Sequence, residues 1–240
     1  PEKVQELIDV ESVDDSQSGV GSIDELIARN QAFLVRYQNR QHGERYRAFV
    51  ERARVAEKAV LGEASGFTKT VAGAYFKLLA AKDEYEVARL YSDSEFLDRV
   101  QREFEGDFSL RLHLAPPILC PPDPDTGIAE KKEFGPWVFV VLKLLAAMRR
   151  LRGTLLDPFR YSQDRALERS MVTEYEESII ELNGMLNVEN LAVATEIAAL
   201  PLSVRGFGHV KARHAAQARS RYQELREILN EISSNSSIAA

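Results

Sequence analysis

Apolar residues recur at three- and four-residue intervals through most of this chain, and the interval drops to two only between Phe108 and Leu114. A period near 3.6 places those residues on one face of a helix, and a period of two places them on one face of a strand. The chain is therefore expected to be mainly α, a helical domain of about six to eight helices with a small β-hairpin insertion near residues 108–134.

The helical segments carry their own start and stop signals. Ser22-Ile23-Asp24-Glu25 reads as a capping box, in which the serine hydroxyl and the glutamate side chain satisfy free backbone amides. Behind it Ile23, Leu26, Ile27, Phe33, Leu34 and Tyr37 form a stripe, with a break or kink expected at Gly43. Tyr46, Phe49, Val50, Ala53 and Val60 carry the stripe on to about Leu61. A second long helix is expected from about Thr68 to Tyr91, and Ser92–Glu95 reads as another capping box opening a short helix.

Phe108, Leu110, Leu112 and Leu114 then alternate with Ser109, Arg111 and His113. The prolines of Ala115–Pro117 and Cys120–Pro124 exclude helix interior, and Asp125-Thr126-Gly127 reads as a loop tip before a returning strand at Ile128–Phe134. Trp137–Met148 is apolar apart from Lys143. At about twelve residues it falls short of the roughly 20 that span a bilayer, so a helix buried on most sides is expected, with Pro136 at its start. Gly153 ends it after Arg149, Arg150 and Arg152, read as helix-end charges. Asp157-Pro158-Phe159 is a turn, Ser162 starts a helix to about Asn183, and Asn187 caps another that Pro201 stops. From about His209, the residues Ala215, Ala218, Tyr222, Leu225, Leu229 and Ile232 form a seam for a partner helix. Residues 1–21 read as the end of a preceding domain and a linker, 22–232 as the helical domain, and 233–240 as a disordered tail.

Charge and cysteine count limit the function. A formal charge of −6 argues against a broad nucleic-acid surface. One cysteine, Cys120, rules out an internal disulfide and a cluster held by four cysteines of this chain. The opening Pro1-Glu2-Lys3 lacks a basic-then-apolar leader and reads as a fragment cut from a longer cytoplasmic protein. No GxGxxG, GxxxxGK[ST], GxSxG or HExxH occurs, and the Gly-Asp-Gly of thiamine diphosphate sites is missing. No catalytic residue and no metal ligand is expected. His209 and His214 are five apart, a poor metal pair on one helix, and His42 and His113 are read as ordinary structural or exposed histidines.

One constellation points to binding. Arg205-Gly206-Phe207-Gly208-His209-Val210-Lys211 combines two glycines, cationic side chains and a helix start. Together these make a candidate anion site at Arg205, His209 and Lys211, able to take a phosphate or a carboxylate. The plainer reading is an interhelix turn with solvated or paired charges.

Six blocks in order, Lys82–Tyr91, Phe104–Asp107, His113–Pro117, Phe134–Trp137, Leu151–Thr154 with Asp157–Phe159, and Arg205–Lys211, resemble the C-terminal domain of the indolepyruvate ferredoxin oxidoreductase family. The resemblance covers roughly residues 22–225, with Arg160 standing where the family pattern has glycine. It implies a parent enzyme that oxidatively decarboxylates aryl 2-oxoacids to acyl-CoA with ferredoxin as acceptor. Thiamine diphosphate, iron–sulfur clusters and CoA would serve that parent from its other domains, with no cofactor held here. The expected role is an accessory domain for interdomain packing or oligomerisation, with other domains or subunits of the enzyme as partners and self-association into a homo-oligomer. Two alternatives stand beside it: a free-standing helical interaction module, and a CoA- or anion-binding unit through Arg205–Lys211.

Overall fold

In a computed structural model, the structure describes residues 21–92, 102–103, 110–114, 120, 130–206 and 208–238. Among these lie eight α-helices, one 3-10 turn and one two-stranded antiparallel sheet, so the protein is mainly helical with a small hairpin. They fall into two compact units, one of Lys82–Arg152 and one of Gly19–Ala81 with Gly153–Ala240. The expected helix at residues 1–9, the linker up to residue 20, residues 93–95 of the second capping box and the loop tip at Asp125–Gly127 lie outside the described residues, and Ser92 itself ends a helix.

The larger unit opens with α1 (Ile23–Tyr37) behind the expected capping box. The Ser22 hydroxyl accepts from the Glu25 amide at 3.2 Å, and the Glu25 carboxylate accepts from the Ser22 amide at 2.9 Å. The break expected at Gly43 falls earlier, at Gln38-Asn39. Asn39 caps α2 (Arg40–Leu61), its side-chain oxygen accepting from the His42 amide at 2.9 Å. Gly43 instead lies inside α2 because α1 passes close by. A Cβ there would meet Val35 Cγ2 at 2.6 Å and the Gln31 carbonyl oxygen at 3.0 Å. His42, expected near an exposed break, is half-buried, with Nε2 3.2 Å from the Leu79 carbonyl oxygen.

After the left-handed Gly62 comes α3 (Gly66–Leu79). The long helix expected from Thr68 to Tyr91 is interrupted at Ala80–Asp83, where the Asp83 carboxylate offers a new cap. The later helices of this unit share an aromatic core with α1–α3.

 

Those later helices are α6 (Gln163–Met185), α7 (Leu191–Ser203) and α8 (Gly208–Ile238). Tyr75 stacks on Tyr46 and Tyr175 at 6.0 and 6.1 Å between ring centroids, with Phe49 4.2 Å from Tyr75. Each hydroxyl in this stack is matched, since a buried polar group without a partner is costly. Tyr46 donates to the Ala72 carbonyl at 3.1 Å and accepts from Asn30 Nδ2 at 3.0 Å, Tyr175 donates to the Ala198 carbonyl at 3.1 Å, and Tyr75 donates to Glu176. Ser162 caps α6 as expected. Pro201 does not stop α7, which runs on to Ser203. A proline in the last turn forfeits a single amide bond, and the Val204 amide closes the end on the Pro201 carbonyl at 3.2 Å. The seam of α8 holds: Ala215, Leu225 and Leu229 are buried and Ala218, Tyr222 and Ile232 half-buried. The helix continues to Ile238, past the tail expected from 233.

The smaller unit comprises α4 (Glu84–Ser92), β1 (Leu112–Leu114), β2 (Lys132–Phe134), α5 (Val138–Ala147) and the 3-10 turn Met148–Leu151. Leu112 pairs with Phe134, His113 with Glu133 and Leu114 with Lys132, so the alternation read from the sequence sets the register. Leu112, Phe134, Val138, Leu142, Ala146 and Ala88 make its core. The expectation that α5 is buried on most sides is corrected. Val138, Leu142 and Ala146 are buried with Phe139 and Leu145 packed beside them, while Trp137, Val140, Val141 and Leu144 are 58%, 72%, 49% and 65% exposed. An apolar run cannot reveal by itself whether its second face has a neighbour. No helix among the described residues is long and apolar enough to cross a membrane.

Candidate functional site

The turn between α7 and α8 holds Arg205, and the first turn of α8 holds His209 and Lys211, the three residues singled out from the sequence. Gly206 and Gly208 both take positive φ, 87° and 53°, which explains why glycine stands at each. Arg205 and His209 are exposed, and neither side chain is hydrogen-bonded among the described residues. Lys211 differs: its ammonium is 2.6 Å from Glu168 Oε1 on α6. Glu168 also pairs with Arg165 at 3.1 Å, and both partners of the Lys211 contact are largely buried. No hydrogen bond joins any two of Arg205, His209 and Lys211. Beside them His214 sets its ring Nδ1 2.8 Å from the Arg205 carbonyl oxygen, fixing the turn onto the first turns of α8. The lysine thus answers a carboxylate of its own chain, which removes one cation from the anion cradle.

Immediately past this turn the helices part. A half-open cavity of about 460 Å³ lies among α6, α7 and α8, with Leu78 of α3 and Val204 also on its wall. Short connections make α7 antiparallel to its neighbours, so α6 and α8 run parallel. Their ion pairs rise in step along both helices: Lys211 with Glu168, Arg219 with Glu174 at 2.7 Å, and Arg226 with Glu181 at 2.6 Å. Between the first two rungs α8 offers the cavity the methyl groups of Ala215 and Ala218, too short to fill the gap to α6. Small side chains and long bridging charges together leave the space open.

The wall is mostly apolar, with Met171, Tyr175, Ile197, Leu200, Pro201 and Tyr222 among its members. Its polar groups come mainly from one face of α6, where Glu174, Glu177, Ser178 and Glu181 recur at helical spacing. Among the described residues Arg219 is the one arginine or lysine lining the cavity, and it is occupied, donating through Nε and Nη2 to Glu174 and through Nη2 to Ser170. Two groups are left over. Ser178 is only 8% exposed and its hydroxyl has no hydrogen-bond partner. Glu177 is exposed and its carboxylate pairs with no described residue. In the sequence the glutamates of this face look like the solvated side of an amphipathic helix. The signal was the serine set among them on the side that also carries Met171 and Tyr175.

A second polar cluster is structural. The Glu57 carboxylate is fully buried and accepts from the amides of Ser65, Phe67 and Thr68 at 2.8, 2.9 and 3.0 Å, and from the Thr68 hydroxyl at 2.6 Å. It caps the start of α3 from the neighbouring helix, doing what an N-cap side chain ordinarily does. Burial pushes its pKa up, but the hydrogen bonds from Thr68, Ser65 and Phe67 outweigh burial and hold it below the usual carboxylate value. Among the described residues no group of three or more histidine, cysteine, aspartate or glutamate side chains is placed to hold a metal ion.

Over residues 23–224 the sequence matches the model of a family of unknown function (DUF6537), and the chain belongs to that family. No curated protein and no solved structure matches it.

Proposed function

We propose that this member of the DUF6537 family is an accessory helical domain of an indolepyruvate ferredoxin oxidoreductase-like enzyme, and that it packs against other domains or subunits of that enzyme. The parent enzyme would convert aryl 2-oxoacids to acyl-CoA and pass the electrons to ferredoxin. The sequence support is the ordered set of six blocks. Where those blocks fall on described residues they sit at joints of the fold. Asp83 in the first block bonds Arg152 in the fifth, and the third and fourth blocks each put residues, His113 and Phe134, into the paired strands of the hairpin.

The observation that carries the packing role is the outward face of α5. Trp137, Val140, Val141 and Leu144 lie at helical spacing and are each about half or more exposed. Single exposed apolar residues are ordinary, but a contiguous helical face of them is kept where a partner covers it. The occupant in this reading is a neighbouring domain or subunit of the same enzyme. The parent's iron–sulfur clusters do not fit the residues present, because the chain offers one cysteine where a cluster needs several thiolates. That chemistry belongs to the other parts of the enzyme.

The test is made in the full-length enzyme with Val140→Glu and Leu144→Glu together. Assembly, followed by size-exclusion chromatography, should fail, and 2-oxoacid-dependent ferredoxin reduction should fall with it. Unchanged assembly and activity would overturn the packing role. A gene encoding this domain alone, with no oxidoreductase segment or subunit beside it, would overturn the parent enzyme.

A further inference from the structure

The cavity among α6, α7 and α8 lies within the larger unit and owes nothing to the face of α5. We infer that it is a binding site for a small apolar molecule carrying one basic amine, such as an arylalkylamine. Three observations bear on the ligand. The volume of about 460 Å³ falls in the range of pockets that hold small organic ligands, roughly 300–1,000 Å³, and exceeds an ordinary packing defect. The wall is apolar on the α7 side, and α8 adds Ala215, Ala218 and Tyr222 to it, so the body of the ligand must be apolar as well.

The polar inventory decides the head group. Three carboxylates line the cavity, those of Glu174, Glu177 and Glu181, against the single guanidinium of Arg219. Glu174 and Glu181 are answered by Arg219 and Arg226, which leaves Glu177 as the carboxylate without a cation. An anionic ligand would face this excess of negative charge with its one possible partner already engaged. A neutral ligand could donate to both groups but would leave the Glu177 carboxylate without a counter-charge. An ammonium donates to both, and a buried hydroxyl lacking a partner is the kind of group a ligand satisfies.

The experiment uses the full chain and isothermal calorimetry with three probes of one shape: phenylbutylamine, phenylbutanol and phenylbutyrate. The amine should bind about tenfold tighter than the carboxylate, since an exposed ion pair adds little and the carboxylate meets a like charge instead. Glu177→Gln should abolish the difference between amine and alcohol while leaving alcohol binding unchanged. Ala218→Leu, which fills the cavity from its open side, should remove binding of all three without lowering the melting temperature. Equal affinity for amine and carboxylate would overturn the inference. So would amine binding that is indifferent to both substitutions, or no binding of any probe at millimolar concentration. Because α5 takes no part, assembly of the full-length enzyme and amine binding by this chain fail or hold separately.

Discussion

Asp83 and Arg152, 69 residues apart, form a buried ion pair, with Arg152 Nη2 2.8 Å from Asp83 Oδ1 and side-chain exposures of 9% and 1%. The same aspartate caps α4, accepting from the Glu86 amide at 2.7 Å. Arg152 therefore is no solvated helix-end charge; it also lies over the Tyr85 ring at 5.4 Å. Arg152→Leu leaves a buried carboxylate without its main counter-charge and should destabilise the protein by about 3–5 kcal/mol. Urea denaturation of Asp83→Leu, Arg152→Leu and the double variant checks this, with the double variant expected to lose less than the two single losses summed.

Glu57 gives stability a defined acid dependence. Its pKa is held down in the folded protein, so its contribution is present above the unfolded carboxylate value of about 4.3. That contribution is lost as pH falls through the lower folded value. Glu57→Gln should destabilise by about 2–3 kcal/mol at neutral pH, since an amide nitrogen would face backbone donors. The gap between wild type and variant, measured by denaturant melts at several pH values, should narrow below about pH 4.

The tyrosine stack acts at the other end of the pH scale. Burial raises the pKa of Tyr46, Tyr75 and Tyr175, and the Glu176 carboxylate adds to the effect at Tyr75. A raised folded pKa contributes stability that is complete below the unfolded value of about 10 and is lost as pH rises toward the folded one. Near-ultraviolet absorbance should show these three rings ionising only as the chain unfolds. Tyr175→Phe should leave the folded-state titration unchanged and should abolish part of the alkaline absorbance step at unfolding.

Two helical glycines should respond to alanine with opposite signs. Gly43→Ala places a methyl 2.6 Å from Val35 Cγ2 and 3.0 Å from the Gln31 carbonyl oxygen, forcing α1 and α2 apart. A loss of about 1–3 kcal/mol is expected. Gly184 in α6 has nothing within 4 Å of the added carbon. There the helix preference for alanine should raise stability by about 0.5–1 kcal/mol. Thermal melts of the two variants decide both signs.

Local signals in this sequence were legible where a side chain acts on its own neighbours. The Ser22 capping box, the Ser162 cap, the strand alternation at Leu112–Leu114 and the α8 seam all work within a few residues. Signals that depend on distant chain were not. Gly43 looked like a break because the passing α1 that demands it cannot be seen in the sequence around it. The long helix from Thr68 hid its interruption because Asp83 takes Arg152 as partner from far along the chain. The site followed the same rule. Arg205–Lys211 stood out as a cationic turn, but the Glu168 that engages Lys211 lies 43 residues away. The cavity depends on what Ala215 and Ala218 fail to reach, which no single helix reveals.

Among the described residues the chain leaves the larger unit after Ala81 and re-enters it at Gly153, so there one unit is nested inside the other in sequence. Synthesis from the amino terminus then imposes an order on folding. The nested unit has all of α4, the hairpin and α5 in hand before α6 has been made, and Arg152 closes it onto Asp83. Tyr46 and Tyr75 must meanwhile wait for Tyr175 to complete their stack. During translation the half-built larger unit is the stage at which apolar surface stays uncovered longest, and where a chaperone would have most to hold.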